Sequence, residues 1–150
     1  MPHFGLIDDS LSQAEASLLR ARLHTRGGYI RLSKGQREDG VAALYDAVVS
    51  GMLRFFDSPE LKSRLKINEN DDLDDDRTLF IILQRSNVLG SKINIEDFDY
   101  LYQKMDEAIE GELTDLDENL FISRFKRIMR ELEVIPFDET DLPKEMPVTL

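Results

Sequence analysis

The helical pattern that decides the fold lies in residues 37–56, which read REDGVAALYDAVVSGMLRFF. Apolar residues recur there at steps of three and four, as they do on one face of an α-helix. These residues are Val41, Leu44, Tyr45, Val48, Met52, Leu53 and Phe56. Two glycines inside the pattern, Gly40 and Gly51, indicate close contact with a neighbouring helix. Pro59, which follows the stretch, favours the first position of a helix and predicts a short one over 59–65.

The residues before this stretch predict a first helix that pairs with it. Asp9 or Ser10 is the expected N-cap, and Ser10 with Gln13 makes a capping box. The pair Gly27–Gly28 costs about 2 kcal/mol relative to alanine in a helix interior. We expect a kink there and not an end, because the apolar pattern resumes beyond the pair. A basic last turn followed by Gly35 predicts that the helix ends at Ser33 or Lys34.

The five consecutive apolar residues at 79–83 predict a further helix. Periodicity does not separate a strand from a helix over so short a run. A helix is favoured because no other segment alternates at period two, so a lone strand would have no partner. Acidic residues precede the run, as suits a helix N-terminus, where the helix dipole stabilises negative charge. Gly90 is the expected end of this helix.

Two clear apolar stripes predict the last two helices. Asn94 caps the first, which is expected to end at Gly111. Its expected core residues are Ile95, Phe98, Tyr102, Met105 and Ile109. Thr114 with Asp117 caps the second. Its expected core residues are Leu116, Leu120, Phe121, Phe125, Ile128 and Leu132.

The chain therefore predicts an all-α protein. Its 150 residues match the size of one domain. Residues 1–134 are expected to form an up-and-down bundle of four main helices plus one short helix. No helix is expected beyond the bundle, because three prolines would interrupt it. Residues 135–150 are expected to form an extended C-terminal tail, either partly mobile or packed along the bundle through Ile135, Phe137 and Leu142.

Composition excludes several classes of function. The chain has no cysteine, which excludes thiol catalysis, disulfide bonds and cysteine-based zinc sites. No apolar run approaches the roughly 18 residues of a membrane span, so no membrane association is expected. The first twenty residues carry no basic residue before Arg20, so no secretory signal is expected. The formal net charge is −11, and the expectation is an acidic cytoplasmic protein.

The acidic run at 68–76 does not match a calcium-binding loop. An EF-hand loop needs a glycine at its sixth position and a glutamate at its twelfth. A loop that starts at Asn70 would have Asp75 and Ile81 at those positions. No Glu-x-x-His pair, phosphate loop or dinucleotide fingerprint occurs either. We therefore expect no catalytic residue, no metal site and no cofactor.

Basic residues cluster in the first helix and the turn that follows it. Six occur between positions 20 and 37 with no acidic residue among them: Arg20, Arg22, Arg26, Arg31, Lys34 and Arg37. They are the candidate residues for binding an anion or a partner. Arg22 and Arg26 are expected on a charged face, where alanine would barely change stability. By contrast, residues 94–118 hold ten acidic residues and a single basic one, Lys104.

Residues 29–56 resemble the first helical hairpin of HEPN domains, with Gly35 at the turn and small or aromatic residues on the second helix. Those residues are Ala42, Ala43, Tyr45 and Ala47. The resemblance implies a helical domain that pairs with a nucleotidyltransferase or acts as a ribonuclease. Ribonuclease members carry an Arg and a His separated by four to six residues on a late helix. Here His24 follows Arg20 after only three residues, in the first helix, so the resemblance implies a non-catalytic member.

These observations favour a non-enzymatic helical interaction module, whose partner is another protein or a second copy in a homodimer. The alternative is a nucleic-acid- or nucleotide-associated accessory protein that uses the basic segment 20–37. The two functions are separable by salt, because phosphate binding weakens steeply as the salt concentration rises, whereas a packed helical interface does not.

Overall fold

Six α-helices and one 3₁₀ turn follow one another along residues 10–144, the part of the chain that the computed structural model describes. They are α1 (Gln13–Ser33), α2 (Arg37–Asp57), α3 (Pro59–Lys62), α4 (Asp76–Arg85), α5 (Ile95–Ile109), α6 (Glu118–Glu131) and the 3₁₀ turn Glu139–Asp141. No strand occurs in this range, and the all-α prediction is confirmed. The long helices are α1, α2, α5 and α6, and the shorter helices α3 and α4 accompany them. Each of the six lies at a segment where a helix was predicted, so the expected total of four main helices plus one short helix is one too few. None of the six combines the length and apolar character needed to cross a membrane.

The helices α1 and α2 form an antiparallel hairpin whose backbones approach at two glycines. Gly35 makes the turn with a φ of 77°, a left-handed conformation that favours glycine. A Cβ on Gly28 would lie 2.5 Å from the Leu44 side chain and 3.3 Å from the Gly40 carbonyl oxygen. A Cβ on Gly40 would lie 3.2 Å from the Gly28 carbonyl oxygen. The close contact predicted for Gly40 is therefore confirmed, and α1 continues through Gly27 and Gly28 as one helix.

The second helix lies at the centre of the core and touches each of the other five. Aromatic side chains connect α4 to α5 and α5 to α2. The ring centroids of Phe80 and Phe98 lie 5.2 Å apart, and those of Phe98 and Tyr45 lie 6.0 Å apart. On α6, Phe121 and Phe125 are fully buried. The apolar run at 79–83 lies inside α4, so the prediction that it is helical is confirmed.

Two predicted helix starts are wrong, because a better-placed side chain caps each helix. Ser12, and not Ser10, caps α1. Its hydroxyl accepts from the N–H of Glu15 at 3.1 Å, and the Glu15 carboxylate accepts from the N–H of Ser12 at 3.1 Å. Asp117 alone caps α6, since its carboxylate accepts an N–H of the first turn at 3.0 Å. Thr114 stays outside the helix.

Two predicted helix ends are wrong as well. The helix α4 ends at Arg85, well before Gly90. The chain turns there because Asn87 adopts a left-handed φ of 61°, which asparagine tolerates better than most residues. The short helix α3 ends at Lys62 and does not reach position 65. The predicted end of α1 is confirmed.

Two arginines fasten the end of α6 to the hairpin. Arg22 on α1 donates from Nε to the Val134 carbonyl at 3.0 Å, and Arg54 on α2 donates from Nη2 to the Leu132 carbonyl at 3.3 Å. Positive charge at a helix C-terminus complements the partial negative charge of its unpaired carbonyls. We call Arg22 and Arg54 the arginine clamp. It joins the last turn of the bundle to the first two helices.

Residues 135–144 pack along the first half of α1. Phe137 lies under the Arg22 guanidinium at 5.8 Å. Together with Leu142 and Leu18 it lines a groove of about 390 Å³ between α1 and this segment. The tail was predicted to be either partly mobile or packed along the bundle. Residues 135–144 are packed along it. Residues 145–150 lie outside the described residues.

Candidate functional site

The structure does not gather the candidate basic residues into one patch. Residues two apart on an α-helix point about 200° apart, so Arg20 and Arg22 lie on different sides of α1. Arg26 follows Arg22 by about one turn and shares its side. Arg31 follows Arg20 by about three turns and shares the other. Because they diverge around the helix, these residues cannot all face one ligand.

Two of the candidates donate hydrogen bonds to backbone carbonyls, one across the fold and one within α1. Arg22 belongs to the arginine clamp, so it does not lie on a free charged face as predicted. Arg31 donates from Nη1 to the Gly27 carbonyl at 2.9 Å, one turn earlier in the same helix. Lys34 and Arg37 are exposed at and just after the hairpin turn. The candidate set therefore contains both structural and solvent-facing residues.

The acidic loop at 68–76 is organised by its own hydrogen bonds. The Asp71 carboxylate accepts from Arg85 Nη1 at 2.8 Å and from the Asn68 N–H at 2.7 Å, and these bonds lower the pKa of Asp71. Asp75 caps α4. Within the described part of the chain, no three histidine, aspartate or glutamate side chains stand close enough together to hold a metal ion.

A row of apolar side chains on α5 faces solvent. Tyr102 is 47% exposed and Ile109 is 67% exposed, and Met105 between them is partly buried. Their spacing of three and four places them on one side of the helix. We call Tyr102, Met105 and Ile109 the α5 stripe. The prediction that Tyr102 and Ile109 belong to the core is wrong, although Phe98 at the start of the same row is buried.

The α5 stripe is exposed because α5 buries a neighbouring row instead. Leu101 and Ala108 belong to this neighbouring row, and with Phe98 they are the buried apolar residues of the helix. Contacts with α6 fix this orientation, with Tyr100 and Phe121 ring centroids 6.3 Å apart. The apolar arc of α5 is thus wider than the surface that α2 and α6 cover. That excess width is visible in the sequence as two adjacent apolar rows, and it signals that one row stays uncovered without showing which one.

Carboxylates border the α5 stripe. Asp106 lies within one turn of both ends of the stripe, and Glu110 directly follows its last residue. On α2, Asp46 stands next to Tyr45, whose ring centroid lies 5.9 Å from that of Tyr102. All three carboxylates are solvent-exposed. We call Asp46, Asp106 and Glu110 the carboxylate rim.

Two carboxylates, Asp46 and Asp76, lie near the Tyr102 end of the stripe. The Tyr45 hydroxyl donates to Asp76 at 2.7 Å. Burial raises the pKa of Tyr45, and the hydrogen bond to Asp76 raises it further. Partial burial raises the pKa of Asp46, and the nearby Asp76 carboxylate adds to the effect. A positive charge placed beside these carboxylates would be stabilised.

No family model, no curated protein and no solved structure matches this chain. The resemblance of residues 29–56 to HEPN domains therefore stays a prediction. No role can be transferred to this protein from a relative, and its function has to be inferred from the α5 surface itself.

Proposed function

We propose that this protein is a non-enzymatic helical interaction module, and that its α5 stripe binds a partner protein or a second copy of the chain. The observation that carries the proposal is the exposure of Tyr102 and Ile109 on one side of α5. Single exposed apolar residues are common. Here they form a row at helical spacing, and covering a side chain of this size contributes about 1.5–3 kcal/mol.

The capping of α5 supports the same proposal. Asn94 caps the helix through a capping box with Asp97, and Lys104 pairs with Glu107 at 3.2 Å on its partly buried side. A stripe on a well-capped helix is already ordered before it meets a partner. Binding then loses little conformational entropy, so more of the contact energy appears as affinity.

The alternative function, a nucleic-acid- or nucleotide-associated accessory protein, has weaker support. Phosphate recognition needs several cations that face one ligand, and the basic residues of α1 point to different sides of the helix. Arg22 is also engaged in the arginine clamp. The alternative keeps as its basis the exposed Lys34 and Arg37 at the hairpin turn.

Site-specific photo-crosslinking in cells tests the proposed function. A photoreactive amino acid in place of Ile109 should give a discrete adduct, because this side chain would lie inside the interface. The same amino acid in place of Ser123, which is exposed on α6, serves as the control and should give none. The mass of the adduct distinguishes a second copy from another protein. No adduct at position 109, or equal adducts at both positions, would contradict the proposal.

A further inference from the structure

We infer that the occupant of the α5 stripe is a basic amphipathic helix of another protein. This inference rests on the proposed function and names the chemistry of the partner. Tyr102, Met105 and Ile109 span about two helical turns, or about 10 Å along the helix. A partner helix that presents apolar residues at steps of three, four and seven has the matching length and spacing.

The charge around the stripe selects a basic partner. Residues 106–118 contain seven acidic residues and no basic one. The lysine nearest to the stripe, Lys104, is already paired with Glu107. A helix with lysine or arginine on both sides of its apolar row would place those cations against Asp106 and Glu110. Opposite charges at the rim of an interface select the right partner and repel acidic ones.

A symmetric homodimer through this face is disfavoured by the same charges. In a two-fold dimer the same surface patch meets itself. The carboxylate rim of one copy would then lie against the carboxylate rim of the other, and like charges across an interface cost free energy. Asp46 already stands close to a second carboxylate, Asp76, within one chain. The observed charges therefore favour a different protein over a second copy.

Peptide binding to the purified full chain tests the inference. The probe is a fluorescein-labelled 18-residue helix of leucine and lysine with leucines on one face, at about three to four residue spacing. Two control peptides replace every lysine with glutamate or scramble the order of the same residues. Fluorescence anisotropy should show binding of the leucine–lysine helix alone, with affinity that falls only modestly as salt rises, because salt screens the rim charges but not the apolar contact. Binding of the glutamate helix or of the scrambled peptide with equal affinity would overturn the inference, as would no binding at all.

Variants of the stripe and the rim separate specific docking from general attraction to an acidic protein. Ile109→Ser should weaken binding of the leucine–lysine helix about tenfold or more. Leu120 on α6 was expected in the core but is 37% exposed, and Leu120→Ser should leave binding unchanged. The double variant Asp106→Asn/Glu110→Gln should weaken binding mainly at low salt. If Ile109→Ser binds as tightly as the unmodified protein, the inference is wrong. The crosslink at position 109 would still report on the proposed function.

Discussion

Two consecutive residues of α2 show how neighbours in sequence acquire different chemistry. Tyr45 is buried, and its hydroxyl donates to Asp76. Asp46 reaches the surface, yet partial burial and the Asp76 carboxylate raise its pKa. A carboxyl whose pKa is higher in the folded protein than in the unfolded chain disfavours folding once it is ionised. Asp46 is thus a local source of instability beside the α5 stripe.

Replacing this carboxyl should stabilise the protein at neutral pH. The folded state binds more protons than the unfolded state between the ordinary aspartate pKa of about 4 and the raised pKa of Asp46. Stability therefore falls as the pH rises through this window, and the loss is complete once the pH is well above the raised pKa. Asp46→Asn should raise the thermal midpoint at pH 7, and its advantage should shrink as the pH drops through the raised pKa.

A matched substitution checks that the effect is local. Asp74 is exposed in the loop before α4, and Asp74→Asn should change the thermal midpoint little at either pH. Thermal unfolding followed by circular dichroism measures both variants. A lower midpoint for Asp46→Asn at pH 7 would show that the ionised carboxyl stabilises the fold after all.

At the scale of the elements, the hairpin of α1 and α2 depends on which side of α1 each glycine occupies. A Cβ on Gly28 would meet the Leu44 side chain and the backbone of α2. A Cβ on Gly27 would meet only Arg31, with the terminal Nη1 nearest at 2.6 Å. The flexible end of an arginine can move aside, whereas a fully buried leucine next to a backbone cannot. The two adjacent glycines therefore have different functions in the same helix.

Alanine scanning of this pair should give opposite results. Alanine favours a helix over glycine by about 1 kcal/mol, so Gly27→Ala should be neutral or stabilising by up to about that amount. Gly28→Ala should destabilise the protein by about 1–3 kcal/mol, because overpacking at Leu44 outweighs the helix propensity. Urea unfolding of the two variants measures both values. Equal stability of the two variants would mean that α1 and α2 can move apart at Gly28 with no loss in the free energy of unfolding.

The existence of the helices could be predicted from apolar spacing, but their ends and faces could not all be predicted. Ser10 and Ser12 are both plausible caps, and only Ser12 has a glutamate three residues later. On α5, either of two adjacent apolar rows could pack into the core. The sequence pattern does not show that Leu101 and Ala108, and not Tyr102 and Ile109, meet the rest of the bundle. That choice depends on distant contacts such as Tyr100 with Phe121.

At the scale of the whole molecule, the arginine clamp links the first, second and last helices. Arg22 and Arg54 reach the Val134 and Leu132 carbonyls from two different helices. These contacts join residues more than seventy positions apart in the chain. Burial lowers the pKa of Arg54, the Glu133 carboxylate offsets part of this, and the nearby Arg22 adds to the lowering. The clamp therefore brings two cations together around one helix end.

Removing the clamp from α1 should destabilise the fold. Arg22→Ala deletes a hydrogen bond from a charged donor and the contact with Phe137, and should cost about 1–3 kcal/mol. Arg26→Ala, one turn further on the same side of α1, should have little effect and serves as the control. Chemical unfolding measures both. If Arg22→Ala has the same free energy of unfolding as the unmodified protein, other contacts hold the basic segment in place. Arg22 would then again be a candidate ligand-binding residue.

The charges around the α5 stripe also affect the kinetics of binding. Attraction between a basic helix and Asp46, Asp106 and Glu110 acts before contact, over a screening length of about 8–10 Å. It raises the rate of encounter. Tyr102 and Ile109 act only once they are covered, so they set the rate of dissociation. Changes to the carboxylates would therefore alter how fast the complex forms, and changes to the apolar residues would alter how long it lasts.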